Sequence, residues 1–257
     1  MKSKGILFGL NYSQCKNINR LNGCINDVKD MRDFLLEKYN IPCDVYTDDN
    51  VDSIDNYSTT KNGMLERLNE LALLSHSELL DLAFIHYSGH GSYIKDKSFD
   101  ERDGIDECII PSDCESNGYI LDDDISNVLS KFNINTKIVC IFDCCHSATI
   151  CDVKYSWESP FKRRIENFNS RIKARVLTLS GCLDEQTSAD AYIADKSKYA
   201  GALTNTLLSL LKLNNEFNND IFKLVGNLRI ALKQQGFEQV PKLCSTYNLT
   251  FDKSFIM

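Results

Sequence analysis

A thiol and an imidazole close two apolar runs in this chain, and together they are equipped for covalent catalysis. The first run is Leu82-Ala-Phe-Ile-His-Tyr-Ser-Gly-His90-Gly91; the second is Lys137-Ile-Val-Cys-Ile-Phe-Asp143-Cys-Cys145-His-Ser147. A free cysteine, with a pKa of about 8.5, is mostly protonated at neutral pH. An adjacent imidazole favours the thiolate and later protonates a leaving amine. Gly91 lets backbone approach a substrate carbonyl closely, and its N–H with that of Cys145 would make an oxyanion hole. Singly, a buried cysteine and a Ser-Gly-His-Gly turn have ordinary structural readings. Their pairing at matching strand ends is what points to chemistry.

Such runs, apolar and β-rich, then abruptly small and polar, predict buried parallel strands whose tips open into a crevice. Side chains alternate faces along a strand. Val139, Ile141, Asp143 and Cys145 therefore share one face, as do Phe84, His86, Ser88 and His90. If both faces turn the same way, Cys145, Asp143, His90 and Ser88 converge and Cys144 points away. Strand and helix patterns alternate along the rest of the chain, predicting an α/β fold with a mostly parallel central sheet flanked by helices on both faces. Strands are expected at Gly5 to Asn11, Cys43 to Tyr46, Cys108 to Ile110, Ala174 to Ser180 and Lys242 to Tyr247. Helices are expected from Asn26, after a Thr59 or Thr60 cap, at Asp123 to Ser130, Ala202 to Leu213 and Ile221 to Gln234. Residues 92–120 otherwise look like an acidic loop, and 152–174, with Trp157, Pro160 and a Lys162-Arg163-Arg164 run, like an exposed connection.

At 257 residues the chain suits one domain, with a part at 1–151, the connection at 152–174 and a second part at 175–257. A net charge of −7 argues against nucleic acid or membrane as a general partner. No apolar run approaches the roughly 20 residues of a bilayer span. The apolar stretch Ile6 to Leu10 is too short for a signal peptide and reads better as a first core strand. Eleven cysteines, an odd number with Cys144 and Cys145 adjacent and Cys140, Cys182 and Cys244 in strand-like runs, suit reduced thiols in the cytoplasm better than a disulfide framework.

His86-Tyr-Ser-Gly-His90-Gly91 followed by Asp143-Cys-Cys145-His-Ser147 resembles the metacaspases, caspase-like cysteine proteases. Other stretches are similar to the family too: Leu21 to Val28, the acidic Asp103-Gly-Ile-Asp106-Glu107 and Ile120-Leu-Asp122-Asp123-Asp124, Ser180 to Asp190, and Gly201-Ala-Leu-Thr204. The resemblance implies a caspase-like fold with large- and small-subunit-like parts on one sheet, and a core of the kind without a prodomain. It implies Cys145 as nucleophile, His90 as its partner, and Asp27, Ser88 and Asp143 as the primary specificity pocket. Charge logic agrees: two carboxylates in a partly desolvated pocket call for a cation, and a guanidinium offers five donors in a fork. Protein or peptide substrates with Arg or Lys before the scissile bond are expected. Asp27 also suits the acid of a helix N-terminus, stabilised by the dipole.

The resemblance also places activating Ca²⁺ at Asp106, Asp122, Asp123 and Asp152, hard oxygen donors of the kind calcium takes. Asp100, Glu101, Asp103 and Asp124 read as solvated or capping, and the spacing is not that of an EF-hand. A monomer is implied as well. Ala148 departs from the family, which usually has Gly there; if that position needs φ > 0, alanine costs about 1 kcal/mol. Lys162, Arg163 and Arg164 stand as a self-cleavage site or as a solvated charge run. Two other classes compete: a catalytically silent caspase-like interaction module, against which the complete dyad speaks, and zinc binding by Cys144, Cys145, His146 and Cys151, against which the lack of paired Cys-x-x-Cys ligands speaks.

Overall fold

The computed structural model describes residues 1–49, 56–95, 105–145, 150–181, 190–193 and 198–256. In chain order its first elements are β1 (Ser3–Gly9), α1 (Cys24–Tyr39), β2 (Cys43–Thr47), α2 (Lys61–Ser77), β3 (Leu82–Ser88) and β4 (Gly91–Lys95). Next come β5 (Ile105–Ile109), α3 (Cys114–Asn117), β6 (Ile120–Leu121), α4 (Asp122–Leu129), β7 (Lys137–Asp143), β8 (Tyr155–Ser159) and β9 (Lys162–Ile165). The last are β10 (Arg175–Ser180), β11 (Asp190–Ile193), β12 (Lys198–Gly201), α5 (Ala202–Leu213), α6 (Ile221–Gln234) and β13 (Lys242–Ser245).

Eight strands form the central sheet in the order β2-β1-β3-β7-β10-β13-β8-β9. The first five run parallel; β13, β8 and β9 join antiparallel at one side. The inner parallel strands are apolar on both faces because both faces are covered. Leu7, Phe84, Val139, Ile141, Leu177 and Leu179 point toward α1, α5 and α6, where they meet Val28, Leu203 and Leu228. Ile6, Phe8, Ala83, Ile85, Ile138, Cys140 and Phe142 point toward α2 and α4, packing with Met64, Leu68 and Ile125. The alternation read from the sequence thus holds along both strands that carry the dyad.

Helix boundaries follow local chemistry. Thr60 caps α2 by accepting from the Gly63 N–H at 3.1 Å. α1 stops where Asn40 enters the left-handed region at φ 55°. α5 and α6 span the residues expected of them.

Two expectations are corrected. The 92–120 stretch is richer in strand than expected: β4, β5 and β6 make a separate antiparallel sheet leading off from the His90 turn. The 152–174 stretch is not a bare connection. Its residues form the hairpin β8–β9, and β8 pairs with β13 at the side of the main sheet. Trp157 anchors it: the indole is buried and its Nε1–H donates to Ser245 Oγ at 2.8 Å. The period-two pattern was masked by the charges of β9, which face outward at the sheet's edge, where exposed strands commonly carry lysine and arginine. None of the ten described cysteines is joined in a disulfide. Among the described residues no helix is long and apolar enough to cross a membrane.

Candidate active site

β3 and β7 are neighbours in parallel register, with Ser88 opposite Asp143. His90 and Cys145 each lie two residues past these ends. The tips are tied together: the Gly89 N–H donates to the Asp143 carbonyl at 3.3 Å. A β-carbon on Gly91 would stand 2.0 Å from the Cys145 carbonyl oxygen, so only glycine lets the His90 turn lie this close to the cysteine. Cys144 is fully buried beside Cys140 and Phe142, whereas Cys145 is partly exposed. Of the adjacent thiols, only Cys145 is open to a substrate.

His90 Nε2 lies 2.7 Å from the carbonyl oxygen of Asn19. A carbonyl only accepts, so Nε2 carries a proton, which in the neutral ring leaves Nδ1 as the basic nitrogen. Sequence reading did not find Asn19, because a backbone acceptor leaves no mark on residue type. The expected four-residue convergence is also refined. Face alternation holds as far as Ser88 and Asp143, but Gly89 turns the chain, and the His90 ring packs 4.8 Å from the ring of Tyr12, a residue of the α2-side core.

Ser88 and Asp143 instead gather with Asp27 on the α1 side. Ser88 Oγ donates to Asp27 Oδ2 at 2.7 Å, and the Gly201 N–H is forked across both oxygens of Asp27, each at 2.9 Å. Asp143 Oδ2 accepts the Thr204 N–H at 2.8 Å. Both carboxylates are buried, at 1% and 3% exposure. A β-carbon on Gly201 would fall 2.3 Å from Asp143 Oδ2 and 2.6 Å from Asp27 Oδ2, so the two acids flank one glycine. Gly201 and Thr204 belong to the start of α5, whose amides and dipole offset the paired charge. Asp27 also lies in the first turn of α1, the place expected of a helix N-terminal acid. Gly201 and Thr204 were legible only as part of a motif, without a role.

Behind this cluster His86 is completely buried, its Nε2 3.2 Å from Thr204 Oγ1. Burial pushes its pKa down from 6.5 to about 3. Between these values the unfolded chain binds a proton that the folded protein refuses, so stability falls as pH drops from 6.5 toward 3. The slope from this one group is up to about 1.4 kcal/mol per pH unit. Urea unfolding at about pH 7 and about pH 4.5 checks it: His86→Gln is expected to lose less stability on acidification than the wild type, and equal losses would refute the assignment.

The acids expected to hold calcium are placed as follows. Asp106, Asp122 and Asp152 are buried, and Asp123 is exposed. Asp122 opens α4, its oxygens accepting the Glu107 N–H at 2.8 Å and the Asp123 N–H at 2.9 Å. Glu107, buried beside Asp106, is a further acid that received no role from the sequence. Burial first, then the nearby Asp122, Glu107 and Asp106, push the Cys108 thiol up to about 12. The all-oxygen donors suit a hard cation, yet among the described residues no group of three or more His, Cys, Asp or Glu is arranged to hold a metal. The same finding gives no support to zinc at Cys144, Cys145 and Cys151. Asp100, Glu101 and Asp103, and likewise His146, Ser147 and Ala148, lie outside the described residues, as does Cys182. Lys162, Arg163 and Arg164 are exposed in β9, with the Arg163 guanidinium 4.6 Å from the Tyr155 ring. A protease takes extended, unpaired chain, so cutting here requires the hairpin to open.

Fold and site together define a caspase-like cysteine peptidase. The fold has a counterpart in the crystal structure of protein GSU0716 from Geobacter sulfurreducens, which superposes with a TM-score of 0.68 at 21% identity, covering 100% of this chain and 99% of that one. Residues 3–154 match the family model for the metacaspase peptidase C14 domain. Metacaspase-2 of Trypanosoma brucei brucei is 31% identical over 98% of this chain and 75% of its own length. Metacaspase-1 of Debaryomyces hansenii is 30% identical over 100% and 67%. The chain belongs to the metacaspase family, with protein substrates and a cysteine-type mechanism.

Proposed function

We propose that the protein is an endopeptidase cleaving after Arg or Lys, with Cys145 as nucleophile, His90 as its base, and calcium as an activator. The observation that carries the specificity is the pair of buried carboxylates, Asp27 and Asp143, on either side of Gly201 beside the strand tips. A basic side chain entering there gains charge-assisted hydrogen bonds in a low-dielectric site.

In this mechanism His90 Nδ1 takes the thiol proton, and the Cys145 sulfur attacks the scissile carbonyl. The N–H groups of Gly91 and Cys145 hold the oxyanion, and the imidazolium protonates the departing amine. Water, deprotonated by His90, then hydrolyses the thioester. Asp106, Asp122, Asp123 and Asp152 are the residues that would supply oxygen donors to calcium; no chemical step passes through it. The cytoplasm is supported by described cysteines that are all outside disulfides, and a monomer by the charged edge of β9, which resists pairing with a second sheet.

Hydrolysis of fluorogenic peptides ending in Arg, Lys or Asp, with and without a calcium chelator, tests this reading. Arg and Lys peptides are expected to turn over and Asp peptides not, with chelation slowing the rate at least about tenfold. Preference for Asp overturns the pocket, and an unchanged rate on chelation overturns the calcium role. A protein inert to all three peptides in the presence of calcium overturns the endopeptidase reading in favour of the silent module.

A further inference from the structure

The His90 turn is held by more than Asn19. Tyr12, just past β1, sits in the left-handed region at φ 58°. A bulky residue rarely adopts that conformation, which persists only where surroundings over-determine it. Asp48, just past β2, supplies the determination: its carboxylate accepts the Asn11 N–H at 2.8 Å and the Tyr12 N–H at 2.5 Å. The turn sends the Tyr12 side chain inward, 1% exposed, with its ring against the His90 imidazole.

The phenol oxygen of Tyr12 accepts the His90 N–H at 2.9 Å, while its own O–H donates to the Ile110 carbonyl at 2.7 Å. Tyr87 Oη, 2.8 Å from that of Tyr12, donates to the His90 carbonyl at 2.7 Å. Both backbone polar groups of His90 are thus taken by phenols. Gly89 leaves room for the pair, since a β-carbon there would meet Tyr87 Oη at 2.5 Å and Tyr12 Oη at 2.8 Å. Burial pushes both phenols well above their ordinary pKa, so the clamp stays neutral. Neither tyrosine has a part in the chemistry proposed above.

We propose that Tyr12, set by Asp48 and paired with Tyr87, is a positioning residue that aims the His90 imidazole at Cys145. This rests on His90 and Cys145 being the base and nucleophile. Without the Tyr12 phenol the His90 N–H loses its acceptor and the ring its fixed seat, so the chemical step slows. Substrate binding is spared, because Asp27, Ser88 and Asp143 cluster on the α1 side of the sheet.

The test compares wild type with Tyr12→Phe, Asp48→Ala, Asp48→Asn and His90→Ala on an Arg-ending peptide, normalised by active-site titration with a thiol-directed peptidyl ketone. Tyr12→Phe and Asp48→Ala are expected to lower kcat about 10- to 100-fold with KM held within about twofold, as a misaimed base would. The ¹⁵N resonances of the His90 ring are expected to shift, and Asp48→Asn, which keeps an acceptor oxygen, to recover part of the Asp48→Ala loss. The Asp48 variants reach Tyr12 without opening the core, and so serve even if Tyr12→Phe folds poorly. Wild-type kcat in Tyr12→Phe and Asp48→Ala, or a loss confined to KM, overturns the positioning role while an inert His90→Ala leaves the base assignment standing. An active His90→Ala overturns the base assignment, and the positioning role with it.

Discussion

Cys145→Ala is expected to cut peptide turnover by about ten-thousand-fold or more, whereas Cys144→Ala is expected to stay within about threefold of wild type. The two thiols are neighbours in sequence yet differ in every physical respect that matters. Cys144 is sealed in the α2-side core, and its replacement costs packing, about 1 kcal/mol of stability. Cys145 is partly exposed, with the Gly91 backbone against its carbonyl. Steady-state rates with denaturation midpoints separate the two effects. Turnover surviving Cys145→Ala would sink the mechanism, and loss of turnover in a stable Cys144→Ala would reassign the nucleophile.

The second large effect is expected at the acid pair. Asp143→Asn or Asp27→Asn should lower kcat/KM for Arg-ending peptides about a thousandfold, since a buried site built for a charged hydrogen-bonding partner discriminates steeply when one side is neutralised. Asparagine keeps the shape and an oxygen for the Thr204 or Gly201 N–H, so the folded state should survive. Gly201→Ala should be at least as severe. Its φ of −65° suits any residue, so the cost is not backbone strain but collision of the new methyl with both carboxylates. kcat/KM for Arg-, Lys- and norleucine-ending peptides checks this. If Asp143→Asn weakens all three equally, the acid supports the fold and does not select substrate.

What was legible in the sequence follows from where its signals are local. Val139, Ile141, Ile138 and Cys140 mark two faces of one strand by alternation alone, and that suffices to place Asp143 and bury Cys144. α5 and α6 stand out by their apolar period, and Thr60 by its capping chemistry. What escaped depends on long-range geometry. Asn19 acts through a carbonyl, Tyr12 through a backbone turn fixed by Asp48, and Gly201 through the space it leaves between two acids from distant segments. The β8–β9 hairpin escaped for a different reason: outward-facing Lys162, Arg163 and Arg164 hid β9, and β13, the other partner of β8, lies far along the chain.

That pairing bears on how the enzyme comes into being. β13 is wedged between β10 and β8, and the amides that seat Asp27 and Asp143 come from Gly201 and Thr204. A chain still emerging from the ribosome, with everything through Cys145 already made, lacks both. Thiol and imidazole are synthesised early, but the acid pair proposed as their pocket is seated only when the late segments dock. Synthesis order itself delays the birth of a working protease.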